Sequence, residues 1–339
     1  MVYRLGFILV FVSCAGGNTI NTQAVVQTER ASLELIPFPQ GIPGEKQTLI
    51  DIRGYVVRIK NPKFAEFFIP DSEKEPANCS LAKHPFPYCN VVDEGFEGAC
   101  QEALKRPCTE GQTTCEDLAW VGVEGQTLRH VMRTGKEWSQ KYHYQVMIDT
   151  NFFDIAAYRI HEYPYKMPCT NIVGPSIANG KILQFQQTDH RYRLFDVFGI
   201  GKDGSFVFVK ASMNDEWMSK LQYAVAGSLL ILDGKPTAKG RKFDKPYNRT
   251  SIGRDRQGNL YFISVWGKTK QDGLTLDELV HYTQSQFDMV DLIQLDEGGS
   301  TYFHYRGKQG DIESPPFDKR GKDYRPFPTF IGVRNLVEE

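Results

Sequence analysis

Leu295-Asp-Glu-Gly-Gly-Ser300 places two adjacent carboxylates, two glycines and a hydroxyl in six residues. Carboxylates serve as general base, nucleophile or metal ligand. Glycines let the backbone approach a ligand closely, and exposed amides in such a turn cradle an anion. Residues 290–295 read as a buried strand, which would deliver this group at its C-terminal end. Taken alone, the same residues also fit a tight turn carrying solvated acids. A carboxylate pair beside hydroxyls is in addition a donor set for Mg²⁺ or Ca²⁺; no other cofactor is expected.

Other chemical signatures dissolve on inspection. Gly199-Ile-Gly201-Lys-Asp-Gly204 spells a dinucleotide fingerprint, but Ser205-Phe-Val-Phe-Val209 follows it as a strand, where that fingerprint needs a helix. The pattern is a hairpin turn. His161-Glu162 lacks the second histidine of a zinc protease, since Tyr165 stands there. No G-x-S-x-G elbow occurs, so a hydrolase triad of that type has no nucleophile.

The elements that would position the carboxylates are mostly strands. Residues 54–60 are β-branched, 144–148 form a buried strand, and 194–200 with 205–210 flank a turn. Residues 229–232 run into the Asp233-Gly234 turn, and 251–254 with 260–266 form a further hairpin. Residues 128–139 fit a short amphipathic helix, and 275–287 a clear one, with Thr275 and Glu278 spaced as a capping box. The fold class expected is α+β: a mixed, mostly antiparallel sheet with a few packing helices.

The chain has 339 residues, 41% hydrophobic and 24% charged, with a net charge of −1. No Lys/Arg block occurs, so the electrostatic footprint of a nucleic-acid binder is missing. No apolar run reaches the roughly 18–20 residues that span a bilayer. Arg4, the apolar residues 5–12 and the small residues 13–17 have the order of a secretory signal, cleaved after Ala15. A second reading takes Phe11-Val12-Ser13-Cys14 as a lipobox, which would make the product a lipoprotein anchored through Cys14. Both make the protein secreted or periplasmic. Residues 16–48 read as a polar leader, and 49–339 as one domain.

Export makes the remaining cysteines disulfide candidates: Cys79, Cys89, Cys100, Cys108, Cys115 and Cys169. None forms a C-x-x-C pair, which argues against zinc. Five of the six fall within 71–118, which reads as a disulfide-rich insertion. Two N-x-[ST] sequons begin at Asn78 and Asn248; a glycan on the second would sit beside Arg249.

Several segments, in order, resemble the phosphodiester glycosidase family over roughly residues 119–334. They are Asp149-Thr-Asn-Phe-Phe-Asp154, Ala226-Gly-Ser-Leu-Leu-Ile-Leu-Asp-Gly234, Arg249-Thr-Ser-Ile-Gly253, Gly273-Leu-Thr-Leu-Asp-Glu-Leu279, Asp291-Leu-Ile-Gln-Leu-Asp-Glu-Gly-Gly-Ser300, and Arg325-Pro326 running into Phe330-Ile-Gly-Val333. The chain departs from the pattern at Asp149-Thr150-Asn151, where Asn-Gly-Gly is common, and at Glu297, where a glycine is common.

The resemblance implies hydrolysis of a sugar–phosphodiester bond in an envelope or extracellular glycan. The leaving group is then a phosphate monoester, already a weak base that needs little protonation. Asp296 is the first choice for nucleophile or base, with Asp149 and Glu297 behind it. Arg249 and Arg325 would grip the phosphate, since a guanidinium matches its oxygens bidentately. Asn151, Thr250 and Ser300 would hydrogen-bond sugar or phosphate, with Gly298 and Gly299 supplying amides. The alternative function is a non-catalytic carbohydrate-binding protein of the cell envelope with the same fold.

Overall fold

The computed structural model describes residues 30–38, 52–73, 129–153, 169–184, 195–210, 216–237, 245–308, 310–317 and 324–338, with the backbone alone of 42–43, 49–50, 88–89 and 121–122. The signal segment, Cys14, Asn78 and the side chains of five candidate cysteines lie outside these residues. Among the described residues no helix is long and apolar enough to cross a membrane.

The strands that position the site are β1 (Ser32–Pro37), β2 (Arg53–Lys60), β3 (Val146–Asp149), β4 (Leu221–Leu232), β5 (Arg249–Asp255), β6 (Leu260–Trp266), β7 (Met289–Glu297), β8 (Phe303–Gly307) and β9 (Phe330–Arg334). Two helices accompany them, α1 (Gly135–Tyr142) and α2 (Leu276–Phe287). A twelve-stranded sheet runs Lys181–Gln184, Ser176–Ala178, β4, β7, β5, β6, β2, β1 and Val337–Glu338, with the hairpin Asp196–Gly201/Phe206–Val209 and Lys235–Pro236 attached to β4. A five-stranded sheet runs Gly310–Glu313, β8, β3, β9 and Glu66–Phe68. β1 and Val337–Glu338 pair in parallel, while every neighbour of the site strands β3, β5 and β7 is antiparallel. The mixed, mostly antiparallel class expected from sequence is what forms.

Period-two alternation fixes which face each strand buries. On β6, Leu260, Phe262 and Trp266 face the space between the sheets, where they meet Val146, Ile148, Phe303, Ile331 and Val333 of the smaller sheet. Tyr261, Ile263 and Val265, on the other face of the same strand, pack with Leu276, Leu279 and Val280 of α2. Behind the smaller sheet, Met147 and Phe330 pack against Trp138 of α1. The described residues therefore form a two-sheet sandwich with one helix on each outer face.

Helix α2 starts as its sequence dictates: Thr275 accepts from the Glu278 N–H, and Glu278 reaches back to the Thr275 N–H at 2.8 Å. The helix expected over 128–139 needs correction. His130–Val131 is a strand paired with Cys169–Thr170, and α1 begins only at Gly135. A second capping box, Thr134 with Glu137, sets that start and overrides the apolar spacing upstream. The leader boundary also moves. β1 pairs antiparallel with β2 over all six of its residues, and its Leu33 is buried in the inter-sheet core. The Leu33/Leu35 alternation supplies that face, so the sheet begins well before residue 49. Within 71–118, the backbone of Tyr88–Cys89 pairs with Val121–Gly122. Cys169 is buried and disulfide-bonded.

Trp138 ties α1 to the segment that leads into β9. It is fully buried, and its indole N–H donates to the Phe327 carbonyl at 3.0 Å. Trp138→Ala should cost about 3–5 kcal/mol, and Trp138→Phe, which keeps most of the ring but loses the donor, about 1 kcal/mol. Urea midpoints check this; an alanine variant within error of wild type would remove α1 from the cooperative core.

Candidate active site

The ends of β3, β5 and β7, interior strands of the two sheets, come together, and the carboxylates lie there. Asp149 closes β3 and is fully buried. Its Oδ1 accepts from the Thr250 hydroxyl on β5 at 2.6 Å and from the Tyr302 N–H at 2.7 Å. Asp296, near the end of β7, donates its N–H to the Thr150 carbonyl at 2.6 Å. Two hydrogen bonds thus stitch the larger sheet to the smaller one, and each involves an acidic residue or its neighbour.

Both carboxyl groups keep an oxygen unused. The Oδ2 atoms of Asp149 and Asp296 are buried with no hydrogen-bond partner among the described residues. Oδ1 of Asp296 accepts from the Glu297 N–H at 2.8 Å. Buried acceptors of this kind are ordinarily satisfied by water or a ligand. Thr150, Asn151 and Thr301 add buried oxygens in the same condition. Asn151 holds its place by donating its amide to the Val173 and Pro175 carbonyls at 3.2 and 3.0 Å, which leaves its Oδ1 as acceptor.

Burial raises the pKa of both acids. For Asp149 the desolvation is reinforced by the negative charge of Asp296, and the pKa lies well above the carboxylate range. For Asp296 burial outweighs the favourable Glu297 N–H, Arg325 and Ser300, and the pKa rises to about 7. At neutral pH Asp296 is close to half ionised, and burial together with the Asp296 charge biases Asp149 toward its neutral form. A buried pair of carboxyl groups, both raised from the ordinary carboxylate value, is where acid and base duties are found.

The loop after Asp296 is a single 3₁₀ turn, Gly298–Ser300. Gly298 takes φ +70°, which disfavours other residues, and its N–H donates to the Asn248 carbonyl at 2.9 Å. Gly299 lies beneath Arg325: a Cβ there would sit 2.7 Å from Nη2. The Arg325 guanidinium faces Asp296, its Nη1 is 3.4 Å from the Ser300 hydroxyl, and its Nε is buried without a partner among the described residues.

Arg249 occupies a different role from Arg325. Its Nε donates to Leu274 O at 2.9 Å, its Nη2 to Lys245 O at 2.6 Å, and its Nη1 to Glu297. Its guanidinium also stands over the Tyr247 ring. The side chain is almost fully buried, so the phosphate-gripping position anticipated for Arg249 is turned to the protein and closed by the Glu297 carboxylate. Gln294 donates to that same carboxylate.

The structure therefore gathers Asp149, Thr250, Asp296, Glu297, Ser300 and Arg325 at one place, with Asn151 beside Thr150. Sequence reasoning missed Tyr302, Gln294 and the Asn248 and Thr150 carbonyls. Tyr302 and the carbonyls act through the backbone, which leaves no residue-type signal. Asn248 was visible as a sequon, but it is fully buried and its side chain accepts from the Gly267 N–H, so the folded chain has no room for a glycan there. Among the described residues no group of three or more His, Cys, Asp or Glu side chains converges as a metal site requires.

The raised acids carry a stability consequence. A carboxyl whose folded pKa exceeds its unfolded value favours the fold below the unfolded pKa, and that support is lost as pH rises through the folded pKa. Wild-type stability should fall between about pH 4 and 7, and Asp296→Asn should remove much of the fall, roughly 2–4 kcal/mol. Chemical denaturation at pH 4 and pH 8 measures it; parallel behaviour of the two proteins would contradict the assignment.

Comparison with known proteins identifies relatives of the sequence and of the fold. The phosphodiester glycosidase family model matches residues 142–334, more than half of the chain. N-acetylglucosamine-1-phosphodiester alpha-N-acetylglucosaminidases of mouse and human are each 30% identical over 129 residues, covering 32% of this chain. The chain spans about a quarter of the length of these relatives, 25% in both cases. The catalytic domain of the zebrafish enzyme, auto-inhibited by its pro-peptide, shares the fold: TM-score 0.56 at 16% identity, over 91% of this chain and 85% of that one. With Asp149, Arg249, Asp296 and Arg325 all inside the matched region, the chain belongs to the phosphodiester glycosidase family.

Proposed function

We propose that this protein is an exported glycosidase that hydrolyses the sugar–phosphate bond of a glycosyl phosphodiester in an envelope or extracellular glycan. The observation that carries the proposal is the pair of buried carboxyl groups with unused Oδ2 atoms, set beside the Arg325 guanidinium. Ionised Asp296 either removes a proton from the water that attacks the anomeric carbon, or attacks that carbon itself to form a glycosyl ester that water then hydrolyses, freeing the sugar and the carboxylate. The bond from that carbon to the phosphate oxygen breaks, and the phosphate monoester leaves as an anion. Arg325 meets the charge that develops on the leaving oxygens. Protonated Asp149 donates from Oδ2 to a sugar oxygen, while Asn151 Oδ1 and the Thr301 hydroxyl take sugar hydroxyls.

Export rests on the N-terminal segment, Arg4 followed by apolar residues 5–12. The bonded Cys169 supports an oxidising compartment and a disulfide-stapled insertion over 71–118, with Cys79, Cys89, Cys100, Cys108 or Cys115 as its partner. Lipid anchorage through Cys14 is the membrane-attached form of the same reading.

A panel of glycosyl phosphodiesters, with release of phosphate monoester as readout, tests the activity. Asp296→Asn should lower kcat by about 10²–10⁴ while the fold persists, and full turnover by that variant would overturn the mechanism. Arg325→Ala should lower kcat/KM steeply, with Arg325→Lys recovering only part, because a bidentate fork is replaced by a point charge. Calorimetric binding of a glycan with no release of product would favour the non-catalytic carbohydrate binder instead.

A further inference from the structure

Glu297 puts a carboxylate at the mouth of a site that otherwise attracts anions. Its side chain retains about 30% exposure, whereas its partner Arg249 retains 3%. The carboxylate closes Arg249 from the site side and is itself held by Gln294. The register supports the pairing, since Arg249 on β5 lies directly opposite Glu297 on β7. Its negative charge still reaches the catalytic acid, because Glu297 and Arg325 act on Asp296 in opposite senses. Among the described residues, the anion-facing part of the loop holds one guanidinium, whose buried Nε has no partner there, bordered by a fixed carboxylate.

Resting on the reading of this loop as the phosphate-facing part of the substrate site, we propose that Glu297 is a specificity-determining charge filter. It lets Arg325 hold the single charge of a phosphodiester and disfavours the two charges of a phosphate monoester. The physical reason is a difference in interaction, not in contact. The Glu297 carboxylate cancels part of the Arg325 attraction, which grows in proportion to ligand charge, while the cost of stripping water from the ligand grows with the square of that charge, so the weakened attraction holds a monoanion and not a dianion. Because the monoester is the phosphate-bearing product, the same residue drives product off the enzyme and keeps free phosphate monoesters from competing with substrate.

The test is calorimetric binding of dimethyl phosphate, a monoanion, and methyl phosphate, a dianion at pH 8, to the full chain. Wild type should bind the monoanion at least as tightly as the dianion. Glu297→Gln, which can still accept from Arg249, should bind the dianion about tenfold more tightly, with less than threefold change for the monoanion. The wild-type comparison stands without the variant. If both anions bind and wild type prefers the dianion tenfold, the filter is overturned while the anion site remains. If neither binds, the anion site and the filter fall together. If Glu297→Gln shifts both anions by the same factor, Glu297 acts on the position of the loop and not as a filter.

Discussion

The structure depends on the stitch between two sheets at the ends of β3, β5 and β7. Thr250 on the larger sheet donates to Asp149 on the smaller, and the Asp296 N–H donates to the Thr150 carbonyl. A sandwich packed on Leu260, Phe262, Ile148 and Ile331 brings these ends together, because those residues set how the sheets face each other. The hydrogen bonds then fix two acidic residues side by side, buried from bulk solvent. Burial supplies the raised pKa values, and the closeness of the strand ends lets the Asp296 charge act on Asp149.

Around this stitch, the two arginines divide the cationic work. Arg325 stays turned to Asp296 because Gly299 leaves it room. Arg249 is locked among Leu274, Lys245 and Glu297, where it braces the β5–β7 register and the start of the glycine turn. A charge removed from water this completely persists only when it is paired and hydrogen-bonded, and Glu297 with the two carbonyls meets that requirement. The departure from the common family glycine at position 297 is thereby explained as a side chain with a partner, at no loss of the turn itself.

Much of this was legible in the residues. The α2 capping box, the 199–204 hairpin and the strand ending at Asp296 all follow from local pattern, since their determinants lie within a few residues of one another. The order of the family segments alone groups Asp149, Arg249, Asp296 and Arg325 as one candidate site. What escaped notice was non-local or carried by the backbone. The tie from Tyr302 to Asp149 spans 153 positions and uses an amide that every residue but proline has. β1 looked like a leader because its only apolar signal is a short alternation, and its partner strand lies beyond the punctuating prolines of 37–43. The two roles of Arg249 and Arg325 were indistinguishable because residue type does not reveal which guanidinium is already taken.

The central claim is that Asp296 works in its ionised form beside an Asp149 that keeps its proton. The pH dependence of kcat/KM on a glycosyl phosphodiester that stays monoanionic throughout tests it most directly. The rate should climb with an apparent pKa near 7, as the Asp296 value of about 7 requires. A rate already at its plateau from pH 5, or a limb centred near 4, would mean that an ordinary exposed carboxylate does the chemistry and would contradict the account.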